Sequence, residues 1–179
     1  REVARKHGLR FKAFCSIGHV GETYESVMET KRWLLDTRPD DFDVTVITIY
    51  PGTPIYVKRE FVEHDEFGRR VVKYVHTSRN ADENGATMFF TEVDYANEFH
   101  WYKGKPKEYI SHVWTPDLSR EDLVSLRDSV EASVRSELGI PYPQRYSGDY
   151  LDGVANFEHS MGQGVTPQDS RVALKGVAG

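Results

Sequence analysis

FCSIGHVGET at residues 14–23 and VITIYPGTPIY at residues 46–56 are the two stretches that decide the fold. Each is an apolar strand pattern that runs into a loop rich in glycine or proline, and one amphipathic helical pattern joins them. A strand, a helix and a second strand in this order predict a parallel β-α-β unit. The loops that follow the two strands then meet at the carboxyl edge of the sheet, where α/β proteins bind ligands.

The strand predictions rest on two different patterns. LRFKAFCSI at 9–17 alternates, which predicts a strand with Cys15 on an apolar face and Phe14 and Ser16 on the opposite, mixed face. In a barrel the apolar face would pack under the outer helices, and Phe14 and Ser16 would face the lumen. FDVTVITIY at 42–50 is almost continuously apolar or β-branched, as expected of a strand that is covered on both faces.

Local signals place the remaining elements. Thr23 is a suitable N-cap for the helix between the strands, and Ser119 is a suitable N-cap for a later helix. Between them, a hairpin is expected to turn near Phe67 and Gly68. The later helix carries an apolar stripe formed by Leu123, Leu126, Val130, Val134 and Leu138. The chain therefore divides into βα units at 1–56, an extension at 57–115, a C-terminal helix at 116–141 and an irregular tail at 142–179.

The composition is that of an ordinary globular chain. Of its 179 residues, 39% are hydrophobic and 28% are charged, which is typical of a folded globular protein. With this length the chain is shorter than the roughly 250 residues of a complete eight-stranded barrel. No apolar run approaches the ~20 residues that span a bilayer, and we expect a cytoplasmic protein with no membrane partner. The net charge of -5, with acids and bases interspersed, disfavours a nucleic-acid partner.

The chain lacks the usual metal-ligand patterns. Its single cysteine, Cys15, cannot supply the three or four thiolates of an iron-sulfur or structural zinc site. Four histidines lack the spacing that brings two imidazoles to one ion and are expected to be surface or hydrogen-bonded residues: His64, His76, His100 and His112. We therefore expect no metal site. His19 differs, because it lies on the loop at the expected ligand edge.

Two further features remain open between alternatives. The loop Gly-His-Val-Gly-Glu-Thr at 18–23 could present backbone N–H groups to an anion, or it could be a plain turn in which Glu22 favours the helix dipole. Six aromatic residues could form the floor of a substrate pocket, although packing beneath a loop is the commoner role: Phe89, Phe90, Tyr95, Phe99, Trp101 and Tyr102.

The two stretches together resemble the C-terminal half of a radical SAM catalytic domain, in particular that of the cobalamin-associated branch. In that superfamily a late barrel strand ends in Gly-x-Pro-Gly-Glu-Thr/Ser before a long helix, and the next strand ends in Tyr-Pro-Gly-Thr-Pro. Here 18–23 carry the first motif, with Val20 in place of the proline, and 50–54 carry the second. The resemblance covers 1–56 and, loosely, 118–138.

The resemblance implies an α/β fold that forms the C-terminal part of a partial (βα) TIM-like barrel with an aromatic-rich α+β extension. It implies an S-adenosylmethionine site at the barrel mouth, with the adenine against Ile17 and beside the backbone at Ile49 and Tyr50. The implied cofactor-binding residues are Ile17, Gly18, Gly21, Glu22, Ile49, Tyr50 and Pro51. Ser16 and His19 are the substrate candidates, because they are the polar residues expected on the lumen side.

The implied chemistry begins at a four-iron four-sulfur cluster. In the family, the cluster cleaves S-adenosylmethionine to a 5′-deoxyadenosyl radical that abstracts hydrogen from a substrate, here a small metabolite undergoing methyl transfer or rearrangement. The three-cysteine motif for the cluster belongs to the N-terminal barrel half, which is missing here, so we expect this chain to be an inactive fragment by itself. The branch would add an upstream cobalamin-binding domain.

The alternative is a stand-alone, non-catalytic α/β binding or interaction module. In that case the glycine loop would serve as an anion clamp and the aromatic residues as a partner surface. A strand-helix-strand unit has two open sheet edges, and a free-standing module would have to cover both with residues 57–115. This requirement counts against the alternative.

Overall fold

The computed structural model describes residues 1–76, 85–95 and 109–142. The chain divides into two units, Arg1–Pro141 and Tyr142–Gly179, and the fold below is that of the first. The predicted tail after residue 142 lies outside the described residues, as do four residues singled out from the sequence: Phe99, His100, Trp101 and Tyr102.

The protein is mixed α/β, with a two-stranded parallel sheet and a four-stranded antiparallel sheet in order β3-β4-β5-β6. The helices are α1 (Glu2–Lys6), α2 (Tyr24–Thr37), α3 (Pro54–Val57) and α4 (Arg120–Leu138). The strands are β1 (Lys12–Ile17), β2 (Asp41–Val46), β3 (Glu60–His64), β4 (Arg70–His76), β5 (Ala86–Thr91) and β6 (Val113–Trp114). None of the helices in the described ranges is long and apolar enough to cross a membrane.

The predicted β-α-β unit is confirmed as β1-α2-β2. Thr23 caps α2 as predicted, because its hydroxyl accepts a hydrogen bond from Ser26 N at 3.3 Å while the Ser26 hydroxyl accepts one from Thr23 N at 3.0 Å. The helix ends at Thr37, and Arg38 takes a left-handed conformation with φ 48° directly before Pro39. The local signals at both ends of this helix were therefore sufficient to place it.

The predicted alternation of the first strand is confirmed from Lys12 onward. Ala13 and Ile17 are buried, whereas Phe14 is 74% exposed on the other face. The expected start at Leu9 is wrong, because this residue belongs to the turn that closes α1. Gly8 there has φ 66°, Leu9 N donates to Ala4 O at 2.9 Å, and the Leu9 side chain is exposed.

The second strand ends earlier than predicted. Its pairing with β1 stops at Ile17↔Val46, and Ile47 N donates the last bond, to Ile17 O at 2.9 Å. Because β1 ends there, no strand in the described ranges lies beside residues 48–50 to continue the ladder. The Ile49 carbonyl instead accepts a hydrogen bond from the Tyr95 hydroxyl at 3.1 Å.

The antiparallel sheet contains the predicted hairpin. Its turn lies between β3 and β4, with Gly68 at φ 76°. Asp65 Oδ1 accepts from Phe67 N at 3.0 Å and from Arg69 N at 2.8 Å, which fixes the turn. The outer strand β3 is fully exposed and is bulged between Phe61 and Glu63.

The predicted apolar stripe of α4 is confirmed in its centre. Leu123, Val130 and Val134 are buried against α2, β2 and β6, and Leu126 and Leu138 pack partly against the same core. Ser119 caps the helix through a second capping box, and Gly139 at φ 66° ends it.

The same helix also buries three charged residues that the apolar pattern did not predict. Arg127, Glu131 and Arg135 are each 1–2% exposed and lie one helical turn apart. Arg127 Nε donates to Val44 O at 2.9 Å, and Arg135 Nη2 donates to Phe42 O at 2.6 Å. The two guanidinium groups thus bind carbonyls on the edge of β2 that faces away from β1.

Tyr109 completes the closure of that edge. Its hydroxyl donates to Val46 O at 3.0 Å and accepts from Val46 N at 3.2 Å. Glu131 binds both arginines, Arg127 Nη2 at 2.9 Å and Arg135 Nε at 3.1 Å. Burial raises the pKa of Glu131, while both arginines oppose that shift by favouring the ionised form. Side chains therefore take the place of a third strand beside β2.

Replacing Glu131 with alanine should destabilise the protein strongly, because it leaves two buried guanidinium groups without their shared carboxylate. Breaking a buried ion pair from one side costs about 3–5 kcal/mol. The measurement is the free energy of unfolding in urea, and the matched control is Glu137→Ala, since Glu137 is exposed on the same helix. Equal unfolding free energies for the two variants would contradict the role assigned to Glu131.

Candidate functional site

All nine residues expected at the site lie at or directly after the carboxyl ends of β1 and β2, as the parallel order requires. They divide between two neighbouring loops. The first loop is 18–23, which leads into α2, and the second is 47–53, which leads into α3. Their contacts within the described residues decide what each loop can offer to a ligand.

Ser16 and His19 lie together on the exposed side of the first loop. The Ser16 hydroxyl and His19 Nε2 are 2.8 Å apart, within hydrogen-bond distance. An imidazole and a hydroxyl in this arrangement can bind a polar group and hold or move a proton between them. The structure thus brings the two substrate candidates together as a hydrogen-bonded pair.

Glu22 fills the anion position of the first loop with its own carboxylate. Oε2 accepts from Gly18 N at 3.0 Å and from His19 N at 3.3 Å, while the Ser26 hydroxyl donates to Oε1. The side chain is nearly buried. Two of the N–H groups considered for an external anion therefore bind a residue of the loop itself.

The two glycines of this loop are required by both backbone and packing. Gly18 has φ 86°, and a Cβ there would lie 3.0 Å from a methyl of Val113 and 3.1 Å from one of Val46. Gly21 has φ 76°, and a Cβ there would lie 3.0 Å from Ala86 Cβ. A side chain at either position would therefore adopt a strained backbone conformation and would also force the neighbouring strands to shift.

Ile17 differs from the expectation of an adenine contact. It is fully buried in the core between the parallel sheet and the helices, so its side chain does not reach the surface in this structure. Its position holds the start of the loop to the core. Any ligand at this edge would contact the loop residues that follow.

The second loop presents an aromatic surface. Tyr50 is 47% exposed, and its ring stacks on that of Tyr95 with centroids 5.4 Å apart and planes 12° from parallel. Thr53 fixes the turn, because its hydroxyl donates to Tyr50 O at 2.8 Å. Pro51 is exposed beside it, and Ile49 packs partly against the core.

The antiparallel sheet lies directly against both loops. Besides the contacts of Ala86 and Val113 with the glycines, the Thr115 hydroxyl donates to Glu22 O at 2.9 Å. Tyr95 reaches the second loop from the end of β5. Residues of the 57–115 extension therefore form part of the wall at this edge.

A separate cluster attaches α3 to the same sheet. The Arg59 guanidinium lies 3.6 Å from the centre of the Tyr56 ring, and the Tyr56 hydroxyl donates to Glu92 at 3.2 Å. Arg59 Nη2 also reaches Glu92, at 3.3 Å. This cluster holds the segment after the second loop against the end of β5.

A cleft of about 1130 Å³ is lined by none of the nine expected residues. The hairpin turn, the segment after β5, residues 109–111 and the first half of α4 form its walls. Its lining mixes carboxylates with two arginines, Arg69 and Arg120. The sequence analysis did not find it, because four segments far apart in sequence create it.

Two of the histidines that were expected to be hydrogen-bonded or on the surface, His112 and His64, are so in the structure. His112 is buried, and its Nδ1 lies 3.1 Å from the Thr91 hydroxyl. Burial, with the charges of Arg69 and Arg120, lowers the pKa of His112 to about 4. His64 is exposed and its ring tilts against that of Phe61. Over the described ranges, no group of His, Cys, Asp and Glu residues could hold a metal ion.

Cys15 occupies a small groove of about 350 Å³ between β1 and α2, together with Ser16 and Trp33. Burial raises the pKa of the Cys15 thiol, which favours the inert, protonated form. As expected from the alternation, Cys15 packs against the core, on the face opposite Phe14.

Gly18→Ala should destabilise the protein more than Gly52→Ala. Both glycines have φ 86°, but a Cβ at Gly52 would meet nothing within 4 Å, so that variant reports the backbone strain alone. Overpacking should cost Gly18→Ala about 1–3 kcal/mol more. Thermal or urea unfolding of the two variants measures the difference, and equal losses would show that the loop can yield.

The stability of the protein should fall by about 2 kcal/mol between pH 7 and pH 5 through His112 alone. The folded-state pKa lies below the unfolded value of roughly 6.5, so the unfolded chain takes up a proton first and stability declines as the pH falls from 6.5 towards 4. Unfolding free energies at both pH values test this. His112→Gln should remove this step and His64→Gln should retain it; identical pH dependence in both variants would refute it.

Comparison with known proteins gives no relative for this chain. No protein-family model matches its sequence, and neither the curated proteins nor the solved structures contain a significant match.

Proposed function

We propose that this chain is the C-terminal part of a radical SAM enzyme. It contributes the adenine-binding part of an S-adenosylmethionine site and a substrate-covering extension to a partial (βα) TIM-like barrel. The observation that carries the proposal is the difference between the two edges of the parallel sheet. Side chains of α4 and Tyr109 close the β2 edge, whereas no strand in the described part of the chain pairs with the outer edge of β1.

The outer edge of β1 is suited to a further parallel strand. The Phe11 and Ile17 carbonyls accept bonds from the β2 side, so the alternating backbone groups of Lys12, Phe14 and Ser16 point the other way. The exposed ring of Phe14 would be covered by a neighbouring strand. In this proposal the missing N-terminal barrel half supplies that strand, from the same or a partner polypeptide.

The residues at the carboxyl edge fit an adenosyl group in part. The exposed Tyr50 ring offers an apolar face for a purine, and Pro51 and the Ile49 backbone border it. Gly18, Gly21 and Glu22 fix the first loop, which would carry the ribose side of the site. Ile17 supports that loop from the core and does not itself touch the cofactor.

Ser16 and His19 would face the substrate, a small metabolite. Their hydrogen-bonded pair can orient a polar group and hold a proton at His19 Nε2 or at the Ser16 hydroxyl. S-adenosylmethionine would supply the hydrogen-abstracting radical only after receiving one electron from a cluster held by the missing barrel half, while residues of this chain would position and shield the reacting groups. Methyl transfer and rearrangement are both compatible with this arrangement.

The four-iron four-sulfur cluster does not fit this chain. It needs three or four thiolates, and the sequence has only Cys15, on the core side of β1. The missing barrel half would have to hold the cluster, and an upstream domain any cobalamin. This chain by itself is therefore proposed to be catalytically inactive.

The second candidate function is a stand-alone, non-catalytic α/β binding module. The closed edge of β2 favours it, since a free-standing domain must protect its strand edges. The anion clamp that it would use is weaker than expected, because Glu22 already accepts from Gly18 N and His19 N.

Titration of the chain with S-adenosylhomocysteine, followed by backbone amide NMR, tests the proposal. We expect weak, saturable shifts confined to 16–23 and 47–53, because half of the site is absent. Inorganic phosphate is the control ligand. Shifts at 18–23 with phosphate and none with S-adenosylhomocysteine would favour the binding module and overturn the radical SAM proposal.

A further inference from the structure

The carbonyl of Ile49 and the ring of Tyr50 are both engaged by one side chain of the extension. The Tyr95 hydroxyl donates to Ile49 O at 3.1 Å, and the Tyr95 ring stacks on Tyr50 at 5.4 Å. A hydrogen-bond acceptor beside an aromatic face is also what an adenine would use, since its amino group donates and its ring stacks. Tyr95 therefore already makes, within the protein, the two interactions that an adenine would make here: the hydrogen bond to Ile49 O and the stack on the Tyr50 ring.

We infer that Tyr95 sets the affinity of the adenine site by competing with the adenine amino group for the Ile49 carbonyl. The inference rests on the proposed function, which places the adenine beside Ile49 and Tyr50. Tyr95 would act as an affinity-determining residue, because an incoming adenine has to displace the hydroxyl before it can bind the carbonyl. The extension that covers the edge thus also regulates entry to it.

The protonation state of the Tyr95 hydroxyl supports its competition with the adenine amino group for the Ile49 carbonyl. Burial is the main reason that the pKa of Tyr95 rises to about 12, with Tyr50 and Tyr56 adding to the shift. The phenol keeps its proton at any physiological pH and remains a donor. Ile49 lies beyond the end of the β1–β2 ladder, so its carbonyl is free of strand pairing and available to a single side chain.

Tyr95→Phe separates the two contacts, because it removes the hydroxyl and keeps the stacked ring. One net hydrogen bond contributes about 0.5–1.5 kcal/mol, so the Kd of S-adenosylhomocysteine should decrease about three- to tenfold. Isothermal titration calorimetry on the full chain measures this. Tyr56→Phe is the matched control, since the Tyr56 hydroxyl binds Glu92, and its Kd should stay at the wild-type value.

A second ligand tests the chemistry of the competition. N6,N6-dimethyladenosine lacks the amino hydrogens and cannot donate to the carbonyl, whereas adenosine can. Tyr95→Phe should therefore bind adenosine about three- to tenfold more tightly than wild type, with an unchanged Kd for the dimethyl compound. Near-ultraviolet circular dichroism of the variant should retain the wild-type aromatic signal if the stack persists.

The outcomes separate the inference from the function on which it rests. If wild type and Tyr95→Phe bind S-adenosylhomocysteine equally, the carbonyl accepts both donors and the competition is refuted. Weaker binding by Tyr95→Phe would make the hydroxyl a contributor to the site and would also refute it. If neither protein binds any of the three adenosine compounds at millimolar concentration, the proposed function fails and the inference fails with it.

Discussion

The closure of the β2 edge by buried arginines is the interaction on which the rest of the structure depends. A parallel pair of strands leaves two rows of backbone groups unpaired, and burying them without partners is costly. Arg127 and Arg135 donate to one row, and Glu131 compensates their charges. This fixes α4 on β2, which in turn places Leu123 beside Gly18 at the carboxyl edge of the parallel sheet.

Local chemistry made much of the fold predictable from the sequence. Several of the correct predictions rest on interactions between residues close in sequence, so they could be made without knowing any tertiary contact. They are the helix caps at Thr23 and Ser119, the turn at Gly68 and the alternation from Lys12. The buried charges of α4 were not predictable in the same way. Charges four residues apart on a helix are also the usual pattern of a solvated face, and only a neighbouring open strand edge turns them inward.

The positions of the two candidate loops were predictable from the sequence, but their contacts were not. The parallel strand order alone places both loops at one edge, wherever the remaining residues lie. The partners of the loops come from distant residues: Tyr95 is 46 positions from Ile49, and Thr115 is 93 from Glu22. No periodicity or spacing in the sequence predicts a contact between residues that far apart. The local signal for self-capping of the first loop was Glu22 itself, a carboxylate directly after Gly21 that is close enough in sequence to reach back to Gly18 N and His19 N.

Both loops satisfy their hydrogen-bonding groups with the protein's own side chains. Glu22 accepts from the first loop and Tyr95 donates to the second. Binding at this edge would therefore exchange one hydrogen bond for another, and the net gain from such an exchange is small because the reference state is already paired. On this argument, the internal hydrogen bonds that order the edge would lower its affinity for an isolated ligand. In the proposed function, specific binding would depend on backbone groups that have no strand partner within the described residues, those at the Ser16 end of the outer edge of β1 among them, which an additional strand would bring into a closed site.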